Sequence, residues 1–403
     1  MLPYGKQLIE EDDIAAVVEQ LKSDWLTQGP SVAKFEQALC LHTGARFAVA
    51  VSSGTAALHL ACLAAGIGPG DTGITSTVTF VASANCIRYV GARSFFADID
   101  PTTGHVRVES MRERARLLAS QGTPPKVFIP VDFSGSVADL EAVQLLAREY
   151  NAVVIEDAAH SLGATYVARD GRTLKAGGCV HSDFAILSFH PVKNITTGEG
   201  GAIVTNDEAA YTRLLELRTH GITKDPARLT QNDGPWYYEQ QSLGFHYRIT
   251  DLQCALGLSQ ASKLERFVDR RRELAARYDK QFDSPELRGL VAPLKVPKGG
   301  ASAYHLYVLR LLAQQGESLA DVAARRRSLF EGLRKKDIAP QVHYIPVHRQ
   351  PDFIRAGLSE GAFPGADAYY AGCISLPMFP GMRDSDVDTV VDAVRSLVSK
   401  SAG

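Results

Sequence analysis

The sequence predicts an α/β protein in which a large domain with a mostly parallel β-sheet is followed by a smaller α/β domain. In residues 1–260, short apolar runs rich in β-branched residues alternate with stretches of helical periodicity. These runs are apolar throughout instead of alternating with polar residues, which is typical of strands that helices cover on both faces. Strands that alternate with helices in this way favour a mostly parallel sheet.

The elements of the large domain, expected to comprise residues 1–262, follow from these patterns. The run RFAVAVS at 46–52 predicts the first strand, and residues 55–65 form the helix after it. Apolar residues between Val137 and Ala147 recur at helical spacing and predict another helix. Further strands are expected at 73–76, 95–98, 126–131, 152–156, 184–189 and 202–205.

The segment 224–242 is rich in Pro, Asn, Asp, Gln and aromatic residues and predicts a long surface loop, a kind of segment that is often functional. A helix over 251–282 then leads into the smaller domain, assigned to residues 263–403. Pro and Gly interrupt 285–300, which indicates a hinge or linker. Residues 1–25 are expected to form an arm that packs on the smaller domain. The remaining elements are expected as a strand at 304–311, a helix at 320–335, a strand at 341–345 and a helix at 384–398.

Composition excludes several classes of protein. The apolar content of 45% and charged content of 22% are typical of a globular protein, and the net charge of −2 argues against a nucleic acid or an anionic membrane as partner. No apolar run approaches the roughly 18 residues of a membrane helix, and the acidic N-terminal segment does not resemble a secretion signal. Six cysteines without a C-x-x-C pair indicate neither a disulfide framework nor a metal site. The chain is therefore expected to be reduced and cytoplasmic.

The first candidate site segment follows the first strand. Ser53, Gly54 and Thr55 join that strand to a helix, and open α/β sheets place their ligands at the carboxyl ends of strands. Free amide groups at a helix start, with hydroxyls and a glycine that permits close approach, suit a phosphate group. A simple serine cap of the helix explains the same residues.

Two further segments carry a carboxylate and an amine. Asp157 ends a strand, where it could cap the next helix or favour the protonated form of a pyridine ring opposite it. Lys193 follows another strand and precedes Thr and Gly residues, so it is expected at the sheet edge. An ordinary lysine, with a pKa near 10.4, is almost entirely protonated at pH 7. To act as a nucleophile, Lys193 needs a lower pKa, which either desolvation or imine formation would give.

These segments, in this order, resemble one family. Ser-Ser-Gly-Thr-Ala at 52–56, Glu-Asp-Ala-Ala-His at 156–160 and Ser-Phe-His-Pro-Val-Lys-Asn-Ile-Thr-Thr-Gly-Glu-Gly-Gly at 188–201 are similar to the DegT/StrS sugar aminotransferases, which have the aspartate aminotransferase fold (fold type I). The resemblance runs from Tyr4 to about Asp392. It implies pyridoxal 5'-phosphate (PLP) as cofactor, with pyridoxamine 5'-phosphate (PMP) formed in the half-reaction.

The resemblance also implies the roles of individual residues. Lys193 would be the Schiff-base lysine and later the proton carrier, and Asp157 would pair with the pyridine nitrogen. Phe80 would stack on the ring. The cofactor phosphate would be bound by Ser53, Gly54, Thr55 and Ser188.

One position departs from the family pattern. The family has G-x-N-x-R, whose asparagine reaches the cofactor phosphate of the neighbouring subunit, and here His246 takes the asparagine position in Gly244-Phe245-His246-Tyr247-Arg248. A histidine can also donate a hydrogen bond to phosphate. By resemblance, Arg248 would contact the nucleotide across the interface. This implies a homodimer with its active sites between the subunits.

The resemblance extends to the substrates. Residues 25–29, 234–238 and 341–348 are most similar to family members that act in pseudaminic acid biosynthesis. They imply L-glutamate as amino donor and the C4 ketone of UDP-2-acetamido-2,6-dideoxy-β-L-arabino-hex-4-ulose as acceptor, with GDP- or dTDP-linked keto sugars as alternatives. Taken alone, His343 is typical of a histidine within a strand. The implied substrate residues are Tyr4, Thr27, Gln28, Arg248, His343 and Tyr344.

Two other functions need to be weighed. Related dehydratases remove a sugar hydroxyl, but they carry histidine at the position of Lys193, so the lysine favours transamination. A non-catalytic sugar-nucleotide sensor could keep the fold. The joint presence of Lys193, Asp157 and the 53–55 segment argues against a sensor.

Overall fold

The computed structural model describes residues 1–398. Its strands are β1 Leu2–Pro3, β2 Phe47–Val51, β3 Thr72–Ser76, β4 Arg93–Ala97, β5 Val127–Ile129, β6 Val153–Asp157, β7 Thr165–Val167, β8 Thr173–Lys175, β9 Phe184–Ser188, β10 Gly201–Thr205, β11 Ile222–Thr223, β12 Glu239–Gln240, β13 Val291–Pro293, β14 Tyr307–Leu311, β15 Ile338–Ala339 and β16 Cys373–Leu376. Its α-helices are α1 Glu11–Lys22, α2 Pro30–Thr43, α3 Gly54–Ala64, α4 Ala82–Tyr89, α5 Val108–Ser120, α6 Leu140–Glu149, α7 Glu208–Arg218, α8 Asp251–Ala261, α9 Leu264–Phe282, α10 Leu319–Lys335, α11 Pro351–Arg355, α12 Pro364–Gly372 and α13 Asp384–Val398.

The central sheet has the strand order β2-β10-β9-β6-β5-β3-β4. β10 runs antiparallel to both of its neighbours, and the other adjacent pairs are parallel. The strands of this sheet are almost completely buried, since apolar side chains occupy both faces. The predicted mostly parallel sheet and the approximate position of each of its strands are confirmed.

A smaller antiparallel sheet, β13-β14-β16, packs with its own helices in the C-terminal part of the chain. The apolar side chains of α9 join the two cores. Phe267 and Val268 belong to the core below the large sheet, whereas Leu274 and Tyr278 belong to the core of the small sheet. The boundary predicted after residue 262 therefore falls just before a helix that serves both cores.

Two predicted elements are corrected in this region. The helix expected over 251–282 is divided into α8 and α9 at Ser262–Lys263, where the Lys263 ammonium turns inward and binds Asp12 (2.6 Å) and Asp13 (2.9 Å). The segment 285–300, expected as a linker, contains β13, which pairs with β14.

The strand expected at 341–345 is absent from the described residues. Gln341 pairs with Ser375 through both of its backbone groups, at 3.0 and 2.7 Å, and the ladder ends there. Pro340 and Pro346 flank the segment and lack the amide hydrogen that a longer ladder needs. The chain instead leaves the sheet, which frees the side chains of this segment to form part of a cavity wall.

The N-terminal residues contact both parts of the molecule. β1 pairs in parallel with β15, and α1 packs against α8. In residues 1–398, no helix has the length and apolar character needed to span a membrane.

Candidate active site

A cavity of about 410 Å³ opens at the carboxyl ends of the parallel strands. Its walls come from the loops after β2, β6 and β9 and from the segments before β14 and after β15. The residues predicted from sequence that line it are Tyr4, Ser53, Gly54, Thr55, Phe80, Asp157, Ser188, Lys193, His343 and Tyr344.

The start of α3 forms one end of this cavity. Ser53 is the N-cap, and its Oγ accepts a hydrogen bond from the Ala56 amide at 3.1 Å. The amides of Gly54 and Thr55 have no protein partner within residues 1–398, because they belong to the first turn of the helix. A Cβ at position 54 would lie 3.1 Å from Cβ of Ser188, so glycine leaves room for a group at this helix start. The cap explanation and the phosphate explanation are therefore compatible, since the Ser53 hydroxyl can still donate.

Asp157 ends β6 and is buried, with 6% of its surface exposed. Its Oδ2 accepts a 2.6 Å hydrogen bond from the Ser83 hydroxyl, and its Oδ1 accepts one from the Ala159 amide at 3.2 Å. Burial raises the pKa of Asp157, while these hydrogen bonds and the charge of Lys193 oppose the rise. The carboxylate is thus held in a fixed orientation within the cavity.

Sequence reasoning missed Ser83. It lies on α4, and its hydroxyl also contacts Oγ1 of Thr79 at 2.7 Å. From this region the sequence predicts only Phe80 as a site residue. Nothing in the sequence around Ser83 indicates that its hydroxyl contacts Asp157, which lies 74 positions further along the chain.

Lys193 lies in the loop between β9 and β10, and its side chain forms part of the cavity wall. Burial lowers the pKa of Lys193 to about 8, against the opposing effect of Asp157. A pKa near 8 leaves roughly a tenth of the amines neutral at pH 7, compared with fewer than about one in a thousand for an ordinary lysine. The site therefore supplies a usable neutral amine.

Three histidines, His160, His305 and His343, complete the wall nearest to the small sheet. The Nδ1 of His343 lies 2.8 Å from Oγ of Ser375, and Nε2 of His160 lies 3.2 Å from the hydroxyl of Tyr344. Burial is the main cause that lowers the pKa of these histidines, and the charge of Lys193 is the second. The pKa of His343 falls to about 3, and the pKa values of His160 and His305 fall well below the ordinary value. His343 is thus a wall residue and not a strand histidine. Of the other two, only His160 stood in a motif that the sequence singled out.

Aromatic rings line the rest of the cavity. Tyr4 lies with its ring 5.1 Å from that of His343. The Phe80 ring is 56% exposed and lies 6.2 Å from the ring of Tyr344. An exposed aromatic face at the mouth of a polar cavity could pack against a flat ligand.

Four residues predicted for the site lie outside this cavity. Thr27 is exposed and forms a β-bridge with Thr250. His246 is also exposed, and its Nε2 accepts a 2.9 Å hydrogen bond from Nη2 of Arg248. Gln28 and Arg248 line a separate depression of about 270 Å³. The cavity of a single chain therefore forms without these four residues.

The cavity residues fit PLP. A helix start with two free amides suits a phosphate, a fixed carboxylate suits a protonated pyridine nitrogen, and a lysine with a lowered pKa suits an aldehyde. The sheet order and this set of groups together define a fold type I PLP enzyme.

Comparison with known proteins gives the family. Residues 7–395 match the DegT/DnrJ/EryC1/StrS aminotransferase family. The spore coat polysaccharide biosynthesis protein SpsC of Bacillus subtilis is 40% identical over 399 residues, which are 98% of this chain and 97% of SpsC. The chain belongs to this family and is a PLP-dependent sugar aminotransferase.

Solved structures agree with this assignment. Helicobacter pylori PseC, an aminotransferase involved in pseudaminic acid biosynthesis, superposes with a TM-score of 0.86 at 28% identity, covering 99% of both chains. Spr1654 from Streptococcus pneumoniae in its PMP form superposes with a TM-score of 0.85 at 29% identity, covering 99% of this chain and 98% of that one. The expected fold, enzyme class and cofactor are confirmed.

Proposed function

We propose that this enzyme transfers the amino group of L-glutamate to the C4 ketone of a nucleotide-linked 4-keto-6-deoxy sugar. The proposed acceptor is UDP-2-acetamido-2,6-dideoxy-β-L-arabino-hex-4-ulose. The observation that carries the proposal is that Lys193 and Asp157 share a cavity with the free amides at the start of α3. The similarity to PseC over the whole chain supports the pseudaminic acid pathway.

The residues of this chain would hold the cofactor by noncovalent contacts at two points. The amides of Gly54 and Thr55, with the hydroxyls of Ser53 and Ser188, would bind its phosphate. Asp157, oriented by Ser83, would face the ring nitrogen and favour its protonated form. When bound, PLP supplies an aldehyde that accepts an amine and a protonated ring that withdraws electrons from the bond being broken.

Lys193 would do two things in sequence. Its Nζ would hold the cofactor covalently until the amino group of the donor takes its place. The freed amine would then take the proton from Cα of glutamate. In the second half-reaction the same Nζ would deliver a proton to C4 of the sugar.

The second subunit of a homodimer would complete the site. The exposed His246 and the half-buried Arg248 form a hydrogen-bonded pair outside the cavity of their own chain, where they would be available to a neighbouring one. Arginine suits the phosphates of a nucleotide because its planar donors match phosphate oxygens. Thr27 and Gln28 lie at the same surface and would reach the sugar nucleotide from there.

Two measurements test the proposal. Mixing the holoenzyme with L-glutamate should convert the cofactor to its pyridoxamine form and release 2-oxoglutarate. Incubation with a panel of UDP-, GDP- and dTDP-linked 4-keto sugars should then yield an aminated product, detected by mass, only from the UDP sugar. Amination of GDP sugars alone would refute the proposed acceptor while leaving the amino transfer intact. An unchanged cofactor spectrum with glutamate would refute the proposed donor.

A further inference from the structure

Residues 245–248 form a short extended segment that is attached to β2, the edge strand of the central sheet. Arg248 forms a bridge with Val51, the last residue of β2. The amide of Ser52 donates a hydrogen bond to the carbonyl of Tyr247 at 2.9 Å. Ser52 directly precedes the residues at the start of α3 that would bind the cofactor phosphate. The backbone therefore ties this segment to the phosphate end of the cavity of its own chain.

The side chains of the segment have two different environments, because successive side chains of extended backbone point in opposite directions. Phe245 and Tyr247 pack against the apolar core that includes the inner face of α3. His246 is exposed, and its ring accepts a 2.9 Å hydrogen bond from the guanidinium of Arg248. The first pair thus anchors the segment, whereas the second pair lies where a neighbouring subunit would bind.

The anchor is a cluster of rings around His59, which lies on α3. The His59 ring centroid is 4.8 Å from that of Phe245 and 5.5 Å from that of Tyr89. The rings of Phe245 and Tyr247 are stacked, with centroids 5.1 Å apart. Apolar burial is non-directional, so this packing alone would leave the exact position of the segment loosely defined.

One polar contact gives the anchor a direction. Nδ1 of His59 lies 3.2 Å from the hydroxyl of Tyr247, and His59 is only 8% exposed. A hydrogen bond weakens steeply when its distance or angle departs from the preferred values, so this contact defines where the Tyr247 ring lies along α3. Tyr247 is therefore held at two points, by Ser52 at its carbonyl and by His59 at its hydroxyl.

Arg248 depends on this anchor because few other contacts hold its side chain. Within residues 1–398 its guanidinium makes one hydrogen bond, to the exposed His246, and no salt bridge. Arginine binds phosphate well when its planar donors face the phosphate oxygens, and a loosely held side chain must lose conformational freedom to do so. The backbone position set by Tyr247, one residue earlier, therefore determines what Arg248 can reach.

We infer that Tyr247 is a positioning residue which, through the contact of its hydroxyl with His59, aligns Arg248 of its own chain with the cavity of the partner subunit. The inference rests on the proposed function, in which Arg248 contacts the nucleotide in that cavity. Tyr247 therefore affects the binding of the sugar nucleotide at the neighbouring site and leaves the reaction with glutamate in its own cavity unchanged.

Removal of one hydroxyl tests this role. Tyr247→Phe keeps the ring and the backbone carbonyl but loses the hydrogen bond to His59, so the half-saturating concentration of the sugar nucleotide should rise about fivefold. The half-saturating concentration of glutamate and the rate of its half-reaction should stay at the wild-type values. An unchanged value for the sugar nucleotide, or equal effects on both substrates, would overturn the inference.

Two further variants show whether the hydroxyl acts through His59. Tyr89→Phe is the matched control, because the Tyr89 hydroxyl belongs to the same ring cluster and makes no hydrogen bond within residues 1–398, and this variant should behave as wild type. His59→Phe should have the same effect as Tyr247→Phe, and the double variant should add nothing to it. Additive effects of the two substitutions would contradict the proposed contact.

Mixed dimers show in which cavity Tyr247 acts. When two chains with different affinity tags are co-expressed and one carries Lys193→Ala, the purified mixed dimer has one working cavity, in the chain that keeps Lys193. Tyr247→Phe should raise the half-saturating sugar concentration about fivefold when it is placed in the Lys193→Ala chain, and should have no effect in the other chain. The reverse pattern, or equal effects from both placements, would overturn the inference.

The same assays distinguish the two proposals. If the wild-type enzyme aminates no sugar nucleotide, the proposed function fails and the inference fails with it. If the wild-type enzyme aminates the sugar but the mixed dimers do not depend on which chain carries Tyr247→Phe, only the inference fails.

Discussion

Ser83 donates a 2.6 Å hydrogen bond to Oδ2 of Asp157, and this contact joins α4 to the end of β6 beneath the cavity. The contact lowers the pKa of Asp157 against the rise that burial causes. Ser83 therefore orients the carboxylate that would face the cofactor ring and helps to keep it ionised. It is a positioning residue, because it acts through Asp157.

Removal of this hydroxyl should weaken catalysis more than folding. Ser83→Ala leaves Oδ2 without its donor and raises the pKa of Asp157, so kcat should fall about tenfold. The acidic limb of the pH profile of kcat should also move to higher pH. Thr79→Val is the control, since Thr79 contacts Ser83 but not Asp157, and it should lower kcat less. An unchanged pH profile in the Ser83 variant would contradict this role.

The lowered pKa of Lys193 should be visible in the stability of the cofactor-free protein. Between pH 8 and 10.5 the unfolded chain binds more protons than the folded one, because burial lowers the pKa of Lys193 from 10.5 to about 8. The buried, protonated Lys193 therefore lowers the free energy of unfolding. This decrease is complete below pH 8 and disappears as the pH rises towards 10.5. Denaturant unfolding should show Lys193→Met to be more stable than wild type at pH 7.5, with a smaller difference at pH 10. An equal difference at both pH values would contradict the assignment.

The glycine at the start of α3 should affect cofactor affinity. A Cβ at position 54 would lie 3.1 Å from Cβ of Ser188 and narrow the space at the free amides. Gly54→Ala should therefore raise the Kd for PLP by about tenfold, measured by fluorescence titration of the cofactor-free enzyme. Gly68→Ala, where an added Cβ meets nothing within 4 Å, should leave the Kd unchanged. Equal Kd values for both variants would argue against phosphate binding at this helix start.

Subunit complementation should test the shared site. In the proposed dimer, Lys193 acts in the cavity of its own chain and Arg248 acts in the cavity of the partner. A homodimer of the Lys193→Ala variant, or of the Arg248→Ala variant, would then have no intact site. In a random mixture, half of the dimers combine the two variants and regain one intact site, so about a quarter of wild-type activity should return. Mixing after mild dissociation, followed by assay of amino transfer, measures this. No recovery would show that Lys193 and Arg248 serve the same cavity of one chain.

The sequence predicts the central sheet well because its strands are buried on both faces and are therefore continuously apolar. It also indicates Asp157 and Lys193, since Asp157 ends such a strand and Lys193 lies in the loop after another. Ser83 could not be found in this way, because it acquires its role from a contact with a residue far along the chain, and the place of His305 in the cavity wall could not be found either.

The strand wrongly expected at 341–345 has a local cause. Residues 341–345 satisfy the composition of a strand, yet prolines on both sides and a single pairing with Ser375 direct the chain into the cavity wall. Thr27, Gln28, His246 and Arg248 lie outside the cavity of their own chain, and their role at the site stays a prediction. Their predicted role needs a second subunit, which no pattern within one chain describes.

The 19-residue helix α9 has a consequence for how the molecule comes apart. One end of α9 is anchored by Phe267 among the residues under the large sheet, and the other by Tyr278 beside the small one. If either region unfolded alone, the apolar side chains that α9 buries against that region would be exposed to water, which is unfavourable. The two regions are thereby bound into one cooperative unit, so that heat or denaturant should unfold them in a single transition.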